Sequence, residues 1–261
     1  YAAKTYLPPA ILSLILGQSL VSLANNSDAS SRVRDREAFA SVALGWIPVV
    51  AVGALPYWLG GMFNGPFEMF AGDASVWEGL RGLLYSWFES MSGFTTTGAT
   101  VIDISTSPVC SALTVADDCI GSQNNSLILW RSVSQWVGGM GVIMLGLLIL
   151  SRVLGGGMSL ARAELTGPSL SRLGPTLQWT ASRLWVIYIA LTVLEFGMLH
   201  FLGGMGMFDA VNYSLTTLPS GGFGTSDSGI MEFDSARVEA ILIVFMLLTC
   251  INFSLLHLMI A

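Results

Sequence analysis

The sequence predicts an all-α membrane protein with several spans, and three observations support this. Hydrophobic residues fill 53% of the 261 positions and charged residues only 11%, against roughly 25% charged in an ordinary soluble domain. Mean hydropathy is +0.68. Four stretches, Thr5 to Ser27, Ala38 to Phe67, Ser132 to Ser151 and Ala240 to Ala261, contain no Asp, Glu, Lys or Arg, and each reaches the ~20 residues that cross a bilayer as a helix. A fifth candidate, Leu184 to Phe208, is interrupted only by Glu195. The lipid bilayer is therefore the expected surrounding. Nucleic acid is excluded as a partner, because it selects clustered basic surface and this chain has a net charge of −6 and a pI near 4.8.

Residues 1–37 read as an N-terminal membrane helix, about 5 to 27, followed by a loop with Arg32, Arg34 and Arg36. Short loops rich in Arg or Lys stay on the cytoplasmic side, and Arg152, Arg162, Arg172 and Arg183 mark a second such loop. Those residues define the inner side and predict a multi-pass protein of the cell membrane. The remaining stretches hold Lys4, Arg81, Arg131 and Arg237 against twelve acids. That excess reads either as an acidic solvated surface or as a vestibule that gathers cations.

Residues 38–155 form the first of two similar units. After its opening span, Leu80, Leu83, Leu84, Trp87, Phe88 and Met91 recur at helical spacing, which predicts a short amphipathic helix over about 79 to 93, too short to cross. It gives way at Gly93 to a run of Thr, Gly and Ala. Gly138, Gly139 and Gly141 then suit close helix packing, with a hinge as the alternative, and Gly155 to Gly157 end the unit's last helix. An inner linker, 156–175, leads to the second unit, 176–261. There Phe208, Val211, Leu215 and Leu218 form a second short helical face, broken by Pro219 and the glycines that follow. A plan of long helix, half-helix, Gly-rich segment and long helix thus occurs twice.

Irregular backbone is not tolerated in lipid, where each unpaired N–H or C=O costs several kcal/mol. A half-helix followed by an extended Gly/Thr segment must line a watery cavity or lie inside protein. A cation filter meets that condition, since its unpaired carbonyls replace the water lost by the ion. Glycine permits the backbone conformations that aim successive carbonyls at one axis, and Thr adds a hydroxyl. The partly negative C-terminal ends of the half-helices favour a cation over an anion.

The segment SGFTTTGATVID, with SQWVGGMGV and GGGMSLARAELTGP downstream, resembles the membrane subunit of Trk/Ktr-type potassium transporters, the TrkH-like superfamily. SLTTLPSGGFGTSDSGI resembles the filter of that family's second repeat. The resemblance covers nearly the whole chain from about Arg36 onward. It implies four repeats of helix, pore half-helix, filter loop and helix, of which two are present here, with Gly98 and Gly222 at the central glycines. The implied ion-binding residues are Thr96, Thr97, Gly98 and Ala99 in one segment and Ser220, Gly221, Gly222 and Phe223 in the other. The implied cargo is K⁺, with Na⁺ as the alternative, and no cofactor, transition metal or catalytic residue is implied. Implied partners are the remaining two pore repeats, from the same full-length chain or a second copy, a homodimer mate, and a TrkA-like cytoplasmic nucleotide-binding regulator. Tyr1 is not an initiator Met and the chain ends in an apolar run, so the N-terminal half of a longer protein is expected, whether from a truncated gene, a split subunit or a partial sequence.

Other residues leave choices open. Glu89, near the end of the first half-helix, either adds its field to the ion or caps nearby backbone N–H groups. Glu195 reads as a buried acid paired with another helix or lying near an interface or, alternatively, as a proton-coupling group. His200 and His257 are too far apart in the chain to suggest a metal site, Cys250 reads as inert packing, and Cys110 and Cys119 form either a disulfide or two thiols. Competing functions are a repeat-built secondary transporter of a small solute, an intramembrane serine protease using Ser220, a membrane scaffold, and a nonfunctional fragment.

Overall fold

The computed structural model describes residues 2–26, 35–114, 117–156 and 177–250. Among them every regular element is helical: α1 (Ala2–Asn26), α2 (Asp35–Leu59), α3 (Pro66–Ala71), α4 (Val76–Phe94), α5 (Asn125–Gly156), α6 (Leu177–Gly197), α7 (Met207–Thr217) and α8 (Ala236–Cys250). One π-helical turn, Met198–Leu202, extends α6. Ala2–Leu23 and Ser182–Leu202 are each long and apolar enough to cross a membrane. Gly157, the linker with Arg162 and Arg172, Arg32, Arg34 and His257 lie outside the described residues.

The two half-helices are α4 and α7. The first begins three residues before the apolar spacing suggests, because Ser75 caps it: its hydroxyl accepts from the Glu78 N–H, and its own N–H donates to Glu78 Oε2 at 2.7 Å. These bonds, the backbone one foremost, hold the Glu78 carboxyl below the usual Glu range. The cap therefore contributes above that range and is lost as pH falls through the lowered value.

The first half-helix is amphipathic in a sense opposite to that of a soluble protein, and the second buries a row of polar residues beside Ala210 and Tyr213. On α4 the buried residues before the terminal Phe94 are small or polar, including Gly79, Gly82, Ser86, Glu89, Ser90 and Ser92, while Leu80, Leu84 and Phe88 are exposed. On α7, Asn212, Ser214, Thr216 and Thr217 are buried. Lipid is as apolar as Leu, so burying Leu gains little there, whereas small residues allow close approach and polar ones find partners only inside the protein. The partners are present: Ser90 donates to the Val50 carbonyl at 2.8 Å, and Ser132 on α5 donates to Asn212 Oδ1 at 2.7 Å.

Helix α4 lies between α2 and α5, while α7 lies between α5 and α6. Helix α5 thus touches both half-helices and joins the two units. Its glycines make that possible, because a Cβ at Gly138 would run into the backbone of Phe94, and one at Gly139 into Pro219. Met140, Leu184, Tyr188 and Leu218 complete the apolar seam between α5, α6 and the end of α7.

A loop cap covers the end of α2 and the start of α5. Ile102, Cys110, Cys119 and Ile120 pack on Tyr57, Met62, Phe63 and Leu127, and Cys110 and Cys119 form a disulfide with Cα atoms 5.3 Å apart. The cap reaches the second unit through Asp227, whose carboxylate accepts from the N–H groups of Cys119 at 2.7 Å and Ile120 at 3.0 Å. In return, Asp118 accepts from the Asp227 N–H at 2.9 Å. Closing so short a loop is worth about 2–3 kcal/mol in the chain-entropy account. The double variant Cys110→Ser, Cys119→Ser is therefore expected to unfold at a lower temperature, and a reductant should lower the parent to the same midpoint while leaving the variant unmoved.

Candidate functional site

The chain leaves α4 and α7 by the same path. After α4, the N–H of Thr96 donates to the Gly93 carbonyl at 3.0 Å and that of Thr97 to the Ser92 carbonyl at 2.9 Å. After α7, Ser220 donates to Thr217 at 2.8 Å and Gly221 to Thr216 at 2.9 Å. The backbone then alternates in the same register: Thr96 has φ 56° and Gly98 φ 75°, while Ser220 has φ 55° and Gly222 φ 81°. Left-handed φ is uncommon outside glycine and an outlier for a β-branched residue. Its cost of about 1–2 kcal/mol at Thr96 is borne by the hydrogen bonds at the helix end.

The two segments lie against each other, since a Cβ at Gly98 would collide with the Gly221 carbonyl. Thr97, Ala99, Ser220 and Gly222 are exposed, whereas Gly221 and Phe223 are buried. Among the described residues no hydrogen bond ends on the carbonyls of Thr96, Thr97, Gly98, Ser220, Gly221 or Gly222. The Ala99 carbonyl differs, accepting from Ser92 Oγ at 2.6 Å. Two half-helices thus deliver their partly negative C-terminal ends and a set of uncommitted carbonyl acceptors to one place, an arrangement suited to a dehydrating cation.

Behind the segments sits a buried ion pair. Glu89 on α4 is 0% exposed and Arg131 on α5 is 1% exposed, with Nε and Oε2 3.2 Å apart. The other Glu89 oxygen accepts from Thr100 Oγ1 and from the Val101 N–H, both at 2.6 Å. Of its two sequence-level readings, Glu89 therefore makes the backbone contact. Arg131 lies over the Phe223 ring, 4.0 Å from its centroid, and its Nη1 donates to the Gly224 carbonyl at 3.4 Å. One turn along α5, Gln135 accepts from the Phe223 N–H at 3.3 Å. Both charges had been counted with the outer stretches, but their burial removes them from any outer surface field.

Sequence reasoning missed Arg131 and Gln135. The available signal was an ionisable residue at the very edge of an apolar run, followed four positions later by an amide on the same helical face as Gly138 and Gly139. Glu195 is fully buried on α6 and neither carboxylate oxygen has a hydrogen-bond partner among the described residues. His200 Nδ1 sits 2.9 Å from the Met205 carbonyl, holding the turn before α7.

A family model described as TrkH, cation transport protein, matches residues 10–261. The chain belongs to the TrkH family. The Trk system potassium uptake protein TrkH of Halomonas elongata is 35% identical over 94% of this chain and 44% of its own length. TrkH of Escherichia coli K12 is 36% identical over 88% and 41%. The crystal structure of the potassium transporter TrkH from Vibrio parahaemolyticus superposes with a TM-score of 0.69 at 28% identity, covering 97% of this chain and 44% of that one. The chain therefore spans less than half the length of these TrkH proteins, and its fold is that of an all-helical polytopic membrane protein.

Proposed function

We propose that this chain is one half of a four-repeat pore that takes up K⁺, with Na⁺ as the alternative ion, through a filter of backbone carbonyls. The observation that carries the reading is the duplicated geometry: two segments in contact, each leaving a half-helix by the same two hydrogen bonds and each left-handed at the same two positions. Relatives named as potassium uptake proteins support the choice of ion. Residues 38–155 and 176–261 form the two pore repeats, 1–37 the leading helix with its inner basic loop, and 156–175 the inner linker. Thr96, Thr97, Gly98, Ser220, Gly221 and Gly222 line the ion path, with Ala99 and Phe223 closing each segment at its outer end.

Two segments supply half of a four-sided carbonyl ring, so the other two repeats come from the same full-length chain or from a second copy. The assembly sits in the cell membrane as a multi-pass homodimer, and its inner loops meet a nucleotide-binding regulator of the TrkA type. Transport makes and breaks no covalent bond, so the protein is not an enzyme and needs no cofactor beyond the transported ion. Cells lacking other K⁺ uptake and expressing the complete four-repeat protein are expected to accumulate Rb⁺. Gly98→Arg or Gly222→Arg should stop that uptake with membrane insertion intact, and unchanged flux in those variants would sink the filter assignment.

A further inference from the structure

Helix α5 belongs to the first repeat, yet the side chains on one of its faces are directed to the filter segment of the second. Arg131, Gln135, Gly138 and Gly139 recur at the spacing that places residues on one helical stripe. Gly139 abuts Pro219, just before the second segment. Gln135 holds the segment's middle: its Oε1 accepts from the Phe223 N–H, and its amide occupies the space where a Cβ at Gly221 would lie. Arg131 holds the end, with its guanidinium over the Phe223 ring and Nη1 on the Gly224 carbonyl. Gly138 meets the end of the first half-helix at Phe94.

The same guanidinium also bonds Glu89, whose second oxygen fixes the backbone of the first segment at Val101 and the Thr100 hydroxyl. A single chain of contacts therefore runs from Thr100 and Val101 through Glu89 and Arg131 to Phe223 and Gly224. We propose that Arg131 and Gln135 are positioning residues for ion discrimination, and that the Glu89–Arg131 pair holds the two filter segments at a common spacing. The inference rests on reading those segments as an ion filter. Neither side chain touches the ion: Gln135 fixes the peptide that carries the Gly222 carbonyl, and Arg131 anchors the backbone just beyond it at Phe223 and Gly224.

This role uses the shape of arginine and not merely its charge. A planar fork can bond a carboxylate through Nε, a carbonyl through Nη1 and stack on a ring at once, whereas an ammonium is a compact point charge. If the pair only neutralised itself, Arg131→Lys would restore it, and replacing both partners by uncharged residues would be close to neutral, as such exchanges of buried pairs often are.

The test uses the complete four-repeat protein and reads Rb⁺ uptake in competition with Na⁺ and with K⁺. Parent, Arg131→Lys, the double variant Glu89→Gln with Arg131→Met, Gln135→Leu and the control Gly98→Arg are compared at matched membrane insertion. The expected result is that the ratio of Na⁺ to K⁺ concentrations giving half-inhibition falls about tenfold in Arg131→Lys and in the double variant, a loss of about 1.4 kcal/mol in discrimination. Gln135→Leu should move it in the same direction. Parent-like ratios in all three, with uptake abolished by Gly98→Arg, would overturn the inference and leave the filter reading standing. Uptake unaffected by Gly98→Arg would overturn both. Should either charge variant fail to insert, Gln135→Leu, which alters no charge, decides the question alone.

Discussion

Gly98→Ala is expected to abolish Rb⁺ uptake by the complete protein, while Gly222→Ala retains a measurable part of it. The two glycines occupy equivalent positions and nearly the same backbone conformation, φ 75° and 81°, so conformation alone would make the two substitutions equally damaging. Their surroundings separate them. A Cβ at Gly98 would strike the carbonyl oxygen of Gly221, a backbone atom in the neighbouring segment that has no rotamer to escape into, whereas a Cβ at Gly222 meets nothing within 4 Å. Gly222→Ala therefore carries only the left-handed penalty of about 1–2 kcal/mol. Gly98→Ala carries that penalty and must also push the two segments apart, which alters the spacing on which any shared ion site depends. Uptake assays at matched insertion check the order; equal losses would mean that the contact between Gly98 and Gly221 does not set the filter's geometry.

The sequence announces the broken half of the fold more clearly than the packed half. Pro219 and the glycines after α7, like Gly93 in the last turn of α4 and Gly98 after it, disrupt helical periodicity, so both half-helices and both irregular segments can be located from residue type. Thr96 and Ser220 could not be recognised as left-handed in this way, because their conformation comes from the hydrogen bonds at the helix ends and not from any intrinsic preference. Nor does periodicity say which face of a half-helix turns inward. Leu80, Leu84 and Phe88 mark a face, but that face is the exposed one here, and Ser86, Glu89 and Ser90 are the buried residues.

Contacts distant in sequence account for what was missed at the site. Glu89 and Arg131 are 42 residues apart, and Arg131 and Gly224 are 93 apart. Each residue alone resembles a charge at the edge of a span, and only the placement of α5 between the half-helices brings them together. The tie between Asp227 and the N–H groups of Cys119 and Ile120 is hidden for the same reason, as a loop acid gives no sign of which backbone it will cap. The disulfide left open by composition is closed by packing, because Cys110 and Cys119 both lie in the apolar cluster of the loop cap.

Arg131→Ala should be the most destabilising single change in the described residues, lowering stability by about 3–5 kcal/mol, the usual consequence of removing one partner from a buried pair. It leaves Glu89 at 0% exposure with Thr100 and Val101 as its remaining donors among the described residues, opens a cavity where a large, fully buried side chain had been, and removes the support of the Phe223 ring and the Gly224 carbonyl. Glu89→Gln is expected to cost less. The amide oxygen can still accept from the Val101 N–H, and the guanidinium keeps its place over the Phe223 ring, an interaction worth about 2 kcal/mol when shielded from water. Thermal unfolding of the purified complete protein in detergent measures both. The midpoint should fall furthest for Arg131→Ala, less for Glu89→Gln, and less for the double variant Glu89→Gln with Arg131→Met than for Arg131→Ala, because the double change leaves no charge behind. A double variant as unstable as Arg131→Ala would mean that the cavity, and not the unpaired charge, governs the loss.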